Sequence, residues 1–133
     1  MQNLIHLAIP VALTALTLSA CATTSAQTPL AHASDVALGQ TAYADGPIIK
    51  PVAVLEDSRC PMNARCIWAG RVRVQMLWIR GNGEKQPFEA TLGEATPLAD
   101  GSITLESVRP DKMTKVALKP EDYRFSFRFA GGL

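Results

Sequence analysis

The side chains best suited to covalent chemistry are three cysteines, Cys21, Cys60 and Cys66. Cys60 and Cys66 stand five residues apart, close enough to be bridged or, with Met62, to offer soft sulfur donors to copper(I). Zinc asks for about four Cys or His ligands in paired spacings, and beyond the first thirty residues the chain supplies only these two thiols and His32. A redox-active pair would be C-x-x-C at a helix N-terminus, where the thiol pKa is depressed. Neither condition is met. No metal site and no cofactor is therefore expected.

Acid–base chemistry fares no better. With His6 and His32 as the two histidines, a Ser–His or Cys–His nucleophile has no base. Carboxylates pair at Glu56/Asp57 and Glu121/Asp122, but neighbours on a strand point to opposite faces and do not converge on a substrate. Gly81-Asn82-Gly83 lacks the strand and helix that frame a phosphate loop. No catalytic residue is assigned. The net charge of +1 excludes broad electrostatic capture of nucleic acid. Arg71 and Arg73 on one run and Arg124 and Arg128 on another would form a basic patch only if their strands were neighbours. The simpler expectation is a solvated face, and Lys112, Lys115 and Lys119 read as a solvated loop.

Residues 1–34 carry no charged side chain, and residues 7–18 form an apolar run of 12, interrupted by Thr14 and Thr17. That is short for a membrane span, which needs roughly 20 residues, and has the length of a secretory h-region. The junction Leu18-Ser19-Ala20-Cys21 resembles a bacterial lipobox. The resemblance implies a signal peptide over 1–20, lipidation of Cys21 and, with Ala22 following, an outer-membrane anchor facing the periplasm. Acyl chains contribute about 0.8 kcal/mol per buried CH₂, enough for stable anchoring. Residues 21–34, small and uncharged, are expected to be a tether. In an oxidising compartment Cys60 and Cys66 default to a disulfide, stabilising by roughly 2.4 kcal/mol through loop closure.

From residue 35 to 133 the pattern has period two. Runs at 36–44 and 48–55 flank the Asp45-Gly46 turn; Pro51 marks an edge strand or a bulge. Along 71–80, Val72, Val74, Met76 and Trp78 share a face. Phe88, Ala90 and Leu92 alternate next, then Ile103 and Leu105 after a loose connection over 93–101. Tyr123, Phe125, Phe127 and Phe129 line one face of the final run. These runs predict one all-β domain over 35–133, a small antiparallel sandwich or barrel of about six strands.

Glu56-Asp57-Ser58-Arg59-Cys60-Pro61 followed by Cys66-Ile67-Trp68-Ala69-Gly70 resembles the E-D-S-R-C-P-x₄-C-x-W-x-G signature of a family of small bacterial secreted proteins and lipoproteins of uncharacterised function. The family implies an all-β fold and no particular activity. Physically, Asp57 and Ser58 suit a turn, Pro61 fixes φ, Gly70 permits positive φ, and Trp68 is placed to lie over the disulfide. The loop is then either structural closure, the favoured reading, or a recognition surface carrying Met62 and Arg65. The sequence thus predicts a lipid-anchored, non-enzymatic envelope module that binds or braces an envelope protein or polymer. The alternatives are a periplasmic inhibitor of a hydrolase such as lysozyme and, behind it, a copper carrier.

Overall fold

Eight strands connected by short loops run through residues 31–132, the part of the chain that the structure, a computed structural model, describes. They are β1 (Ala31–His32), β2 (Ala42–Tyr43), β3 (Ile48–Asp57), β4 (Val72–Ile79), β5 (Lys85–Thr91), β6 (Ala95–Leu98), β7 (Gly101–Arg109) and β8 (Arg124–Ala130). The expected signal peptide, Cys21 and residues 22–30 lie outside the described residues. One sheet has the order β1-β2-β3-β4-β5, antiparallel except for the two-residue β1–β2 pairing, and the other is β6-β7-β8. The two faces meet over a shared core, so the chain is an all-β sandwich. A three-residue 3₁₀ turn at Pro120–Asp122 precedes β8.

The alternating runs become strands because one side of each is apolar and buried. Val72, Val74 and Met76 of β4 and Ile49 of β3 share one core with Ile103, Leu105 and Val108 of β7, with Phe125 and Phe127 of β8, and with Tyr123 just before it. Bulges break the alternation where the sheets bend. In β3 the register shifts between Pro51 and Ala53 and again between Val54 and Glu56. Each shift moves the inward set by one residue. Val54 therefore pairs with Val74 while Val52 and Leu55 are exposed, and the second shift returns Asp57 to the inner face opposite Val72. The bulge in β7 does the same at Leu105/Ser107, which turns Val108 rather than Ser107 inward.

Three expectations are corrected. The run at 36–44 is not one strand: Val36 bridges to Phe125 in the second sheet, and only Ala42–Tyr43 pairs with β3 across the Asp45-Gly46 turn. The connection over 93–101 contains β6, whose Pro97 is tolerated because an edge strand needs a ladder on one side only. The tether does not extend to residue 34, since Ala31–His32 pairs with β2 and the Ala33 carbonyl accepts from Phe127 N–H at 2.7 Å. Pro51 is accounted for by the bulge beside it. One outer strand of each sheet carries a proline, Pro87 in β5 and Pro97 in β6.

Phe125 is fully buried and Phe129 only partly so. Phe125→Ala is therefore expected to cost about 3–5 kcal/mol, read as a lowered urea midpoint. Phe129→Ala should cost clearly less in the same titration.

Candidate functional site

The β3–β4 connection starts as a continued hairpin. Ser58 N–H donates to Arg71 O at 2.9 Å and Cys60 N–H to Ala69 O at 3.0 Å, so the ladder runs past both strand ends. The Ser58 hydroxyl adds a cross-strand link, accepting from Arg71 N–H at 3.0 Å. Gly70 has φ of +72°, and a Cβ there would run into the Ser58 carbonyl. The glycine of the signature is thus required twice over, by its dihedral and by the close approach.

Below the loop, Asp57, Arg59 and Tyr123 converge. Arg59 donates through Nε to Asp57 Oδ1 and through Nη2 to Oδ2, both at 2.9 Å, a bidentate pair. Arg59 Nη1 also donates to Val108 O at 3.0 Å, and the Tyr123 hydroxyl donates to Asp57 Oδ2 at 2.8 Å. The Asp57 and Arg59 side chains are only 7% and 14% exposed. Burial pushes the Asp57 carboxyl up, but the Arg59 and Tyr123 hydrogen bonds outweigh it and hold the carboxyl below its ordinary 3.8. Burial and then the Asp57 carboxylate push the Tyr123 hydroxyl up to about 12. These residues bolt β3 to β7 and β8, the two sheets to each other.

Cys60 and Cys66 lie at disulfide-bonding distance, with Cα atoms 5.8 Å apart. The loop they close is braced by a second loop, 110–119, that follows β7 after a cis Arg109–Pro110 bond. Met62 N–H donates to Lys112 O at 2.8 Å, Thr114 N–H to Asn63 Oδ1 at 2.9 Å, and Lys112 Nζ to Asp57 O at 2.8 Å. The two loops form one end of the sandwich, and several of its exposed side chains are apolar. Met62 is 69% and Trp68 70% exposed, Ile67 is fully exposed, and Met113 and Val116 are exposed beside them.

The structure brings together Asp57, Ser58, Arg59, Cys60 and Cys66 of the signature, and presents Met62, Arg65 and Trp68 to solvent with Pro61 half-buried at the turn. Trp68 does not pack down as expected; its ring stands out from the loop. Lys112 is not a solvated bystander, since its amine and carbonyl both hold the cysteine loop. Arg71/Arg73 and Arg124/Arg128 lie in different sheets and form no joint patch. Arg71 and Arg73 instead clasp Glu56 at 2.8 and 3.5 Å, and Arg73 also holds Glu89. The Arg71 hydrogen bond lowers the Glu56 carboxyl and the Arg73 bond that of Glu89. Exposed pairs of this kind contribute little individually.

A groove of about 440 Å³ lies along the flank of β3 beyond its short pairing with β2, between Leu38, Val52, Leu55, Leu118 and Tyr123. Both of its carboxylates are already engaged, Asp57 with Arg59 and Tyr123 and Glu56 with Arg71 and Arg73. Tyr123 was readable from sequence only as core. Its clue was a hydroxyl on a face otherwise made of phenylalanines, since a buried Tyr O–H needs a partner.

Removing Asp57 strands a largely buried guanidinium, so Asp57→Ala should cost about 3–5 kcal/mol. Tyr123→Phe should cost about 1.5–3 kcal/mol for a hydrogen bond to a charged group, both read by chemical denaturation. Because the Asp57 pKa is depressed on folding, its contribution is full above 3.8 and lost as the pH falls through the folded value. Because the Tyr123 pKa is raised, its contribution is full below 10.0 and lost as the pH climbs through about 12. Stability against pH should show a smaller acid loss in Asp57→Asn than in the native chain, and the alkaline loss should vanish in Tyr123→Phe.

No family profile, no characterised protein and no solved structure matches the chain.

Proposed function

We propose that this chain is a lipid-anchored cell-envelope protein, non-enzymatic, that binds a partner through the end of the sandwich built by the cysteine loop and residues 110–119. One observation carries the reading: Ile67 and Trp68 are left in solvent on a loop that is closed by a disulfide and hydrogen-bonded at its base. Burying a side chain such as Ile is worth about 1.5–3 kcal/mol. A loop this constrained forgoes that gain twice in adjacent residues, and a rigid aromatic in solvent suits a binding hot spot. Rigidity also lowers the ordering cost of association. Resemblance of the signature to the family of secreted proteins and lipoproteins agrees with this assignment, and the lipobox at Cys21 supplies the anchor.

The experiment is a photo-reactive amino acid at position 68 in intact envelopes. The reading expects a defined adduct that Met62→Ala and Arg65→Ala weaken while the melting temperature stays unchanged. Adducts that scatter without preference refute it. Cys60→Ser with Cys66→Ser should lower stability by roughly 2–4 kcal/mol and lose the adduct even below the melting transition. The protruding disulfide-closed loop also favours a second reading, an inhibitor of a hydrolase such as lysozyme. Titrating lysozymes with the purified protein tests it, and full activity at micromolar protein discards it.

A further inference from the structure

The exposed side chains of this end differ from the rest of the surface in charge as well as polarity. Residues 60–70 and 110–119 contain Arg65, Lys112, Lys115 and Lys119 against Asp111 alone, 4 − 1 = +3, in a chain whose total is +1. Arg65, Lys115 and Lys119 are exposed beside Met62, Ile67, Trp68, Met113 and Val116. We propose that this end docks on an anionic phospholipid surface, with the apolar tips entering the headgroup layer and the three cations resting on phosphates. The inference rests on reading this end as the binding face and names what it binds.

Three observations select lipid over a protein partner. The apolar side chains protrude from two loops, Ile67 and Trp68 side by side, and the groove along β3 is lined by other residues. A fluid layer closes around such tips, whereas a protein must supply a matching pocket for each. Tryptophan settles at the bilayer interface, its ring in the apolar zone and its N–H among polar groups. Cations beside apolar tips add attraction to anionic lipid, roughly fivefold in affinity for each basic residue near the surface.

Chain length permits it. Ten residue steps separate Cys21 from Ala31, and a chain that long reaches at most about 35 Å. Ala31 lies level with Ile49 through Ala42, and the eight steps from Ile49 to Asp57 cover about 26 Å of strand. The ladder continues three residues past Asp57 to Cys60, about 10 Å more, so an acyl chain on Cys21 and the loop tips share a leaflet only with the chain between Cys21 and Ala31 at its full reach.

The test uses the full chain carrying Cys21→Ala, so that no acyl group contributes, on phosphatidylcholine vesicles with and without phosphatidylglycerol. The N-terminal apolar segment is common to every variant and contains no tryptophan; Trp68 and Trp78 are the two in the chain. The difference between this chain and its Trp68→Phe variant isolates the Trp68 emission. On anionic vesicles that emission should shift to the blue and be quenched by lipids brominated in the acyl chain. Arg65→Glu with Lys115→Glu should weaken the response at least about tenfold without changing the melting temperature, and raised salt should weaken it likewise. Trp68 emission that stays unshifted and unquenched overturns the proposal. If the photo-reactive residue at position 68 then captures one protein, the binding-face reading survives and its partner is that protein. If neither vesicle nor envelope gives a signal, both readings fall. A vesicle response supports the lipid surface whatever else position 68 captures.

Discussion

The Asp57 carboxylate is the point on which the two halves of this sandwich agree. It terminates β3 on the inner face, takes both arms of Arg59, and receives the hydroxyl of Tyr123 from the opposite sheet. A carboxylate this enclosed is tolerable only because its lone pairs are filled by charged or polarised donors; the same group unpaired would cost several kcal/mol. The backbone carbonyl of the same residue holds Lys112. Position of the sheets, entry into the cysteine loop and placement of the second loop are thereby set within a few ångströms of one side chain. The disulfide works one level out. It limits what the loop can do, whereas the carboxylate decides where the loop starts.

Much of the fold was legible because its strands obey a strict alternation. The faces of β4 and β8 read directly from the alternation, and Val72, Val74, Met76, Tyr123, Phe125 and Phe127 are buried as that pattern requires, while Trp78 and Phe129 at the far ends are only partly so. Legibility failed where the alternation is broken by an inserted residue. Nothing in the apolar string Val52-Ala53-Val54-Leu55 says which member turns outward, because a bulge trades one local conformation for another of similar energy and is chosen by the bend of the whole sheet. β6 was lost for a related reason: Ala95, Pro97 and Leu98 have weak strand preference, and the pairing with β7 supplies what propensity does not.

The candidate site divides along the same line. Cys60, Cys66, Pro61 and Gly70 were legible because each constrains its own backbone, and a local constraint survives any tertiary context. Long-range partners were not. Arg59 finds Val108 across 49 positions and Tyr123 finds Asp57 across 66, distances over which one sequence carries no pairing information. Trp68 shows the complementary error. A tryptophan near a disulfide suggests burial by its type, yet Trp68 lies just outside the Cys60–Cys66 ring and stays exposed.

The outermost strands have a further consequence. A free strand edge is an open row of amides and carbonyls, ready to pair with any other chain. In this molecule β5 and β6 each contain a proline, which lacks the N–H that a newcomer would need. The flank of β8 is occupied by residues 33–36 through Ala33 and Val36, and β1 is only two residues long. Pairing between copies through β5 or β6 is therefore interrupted at the proline, and the open row that remains runs along β3 past Pro51, where the two residues of β2 no longer cover it.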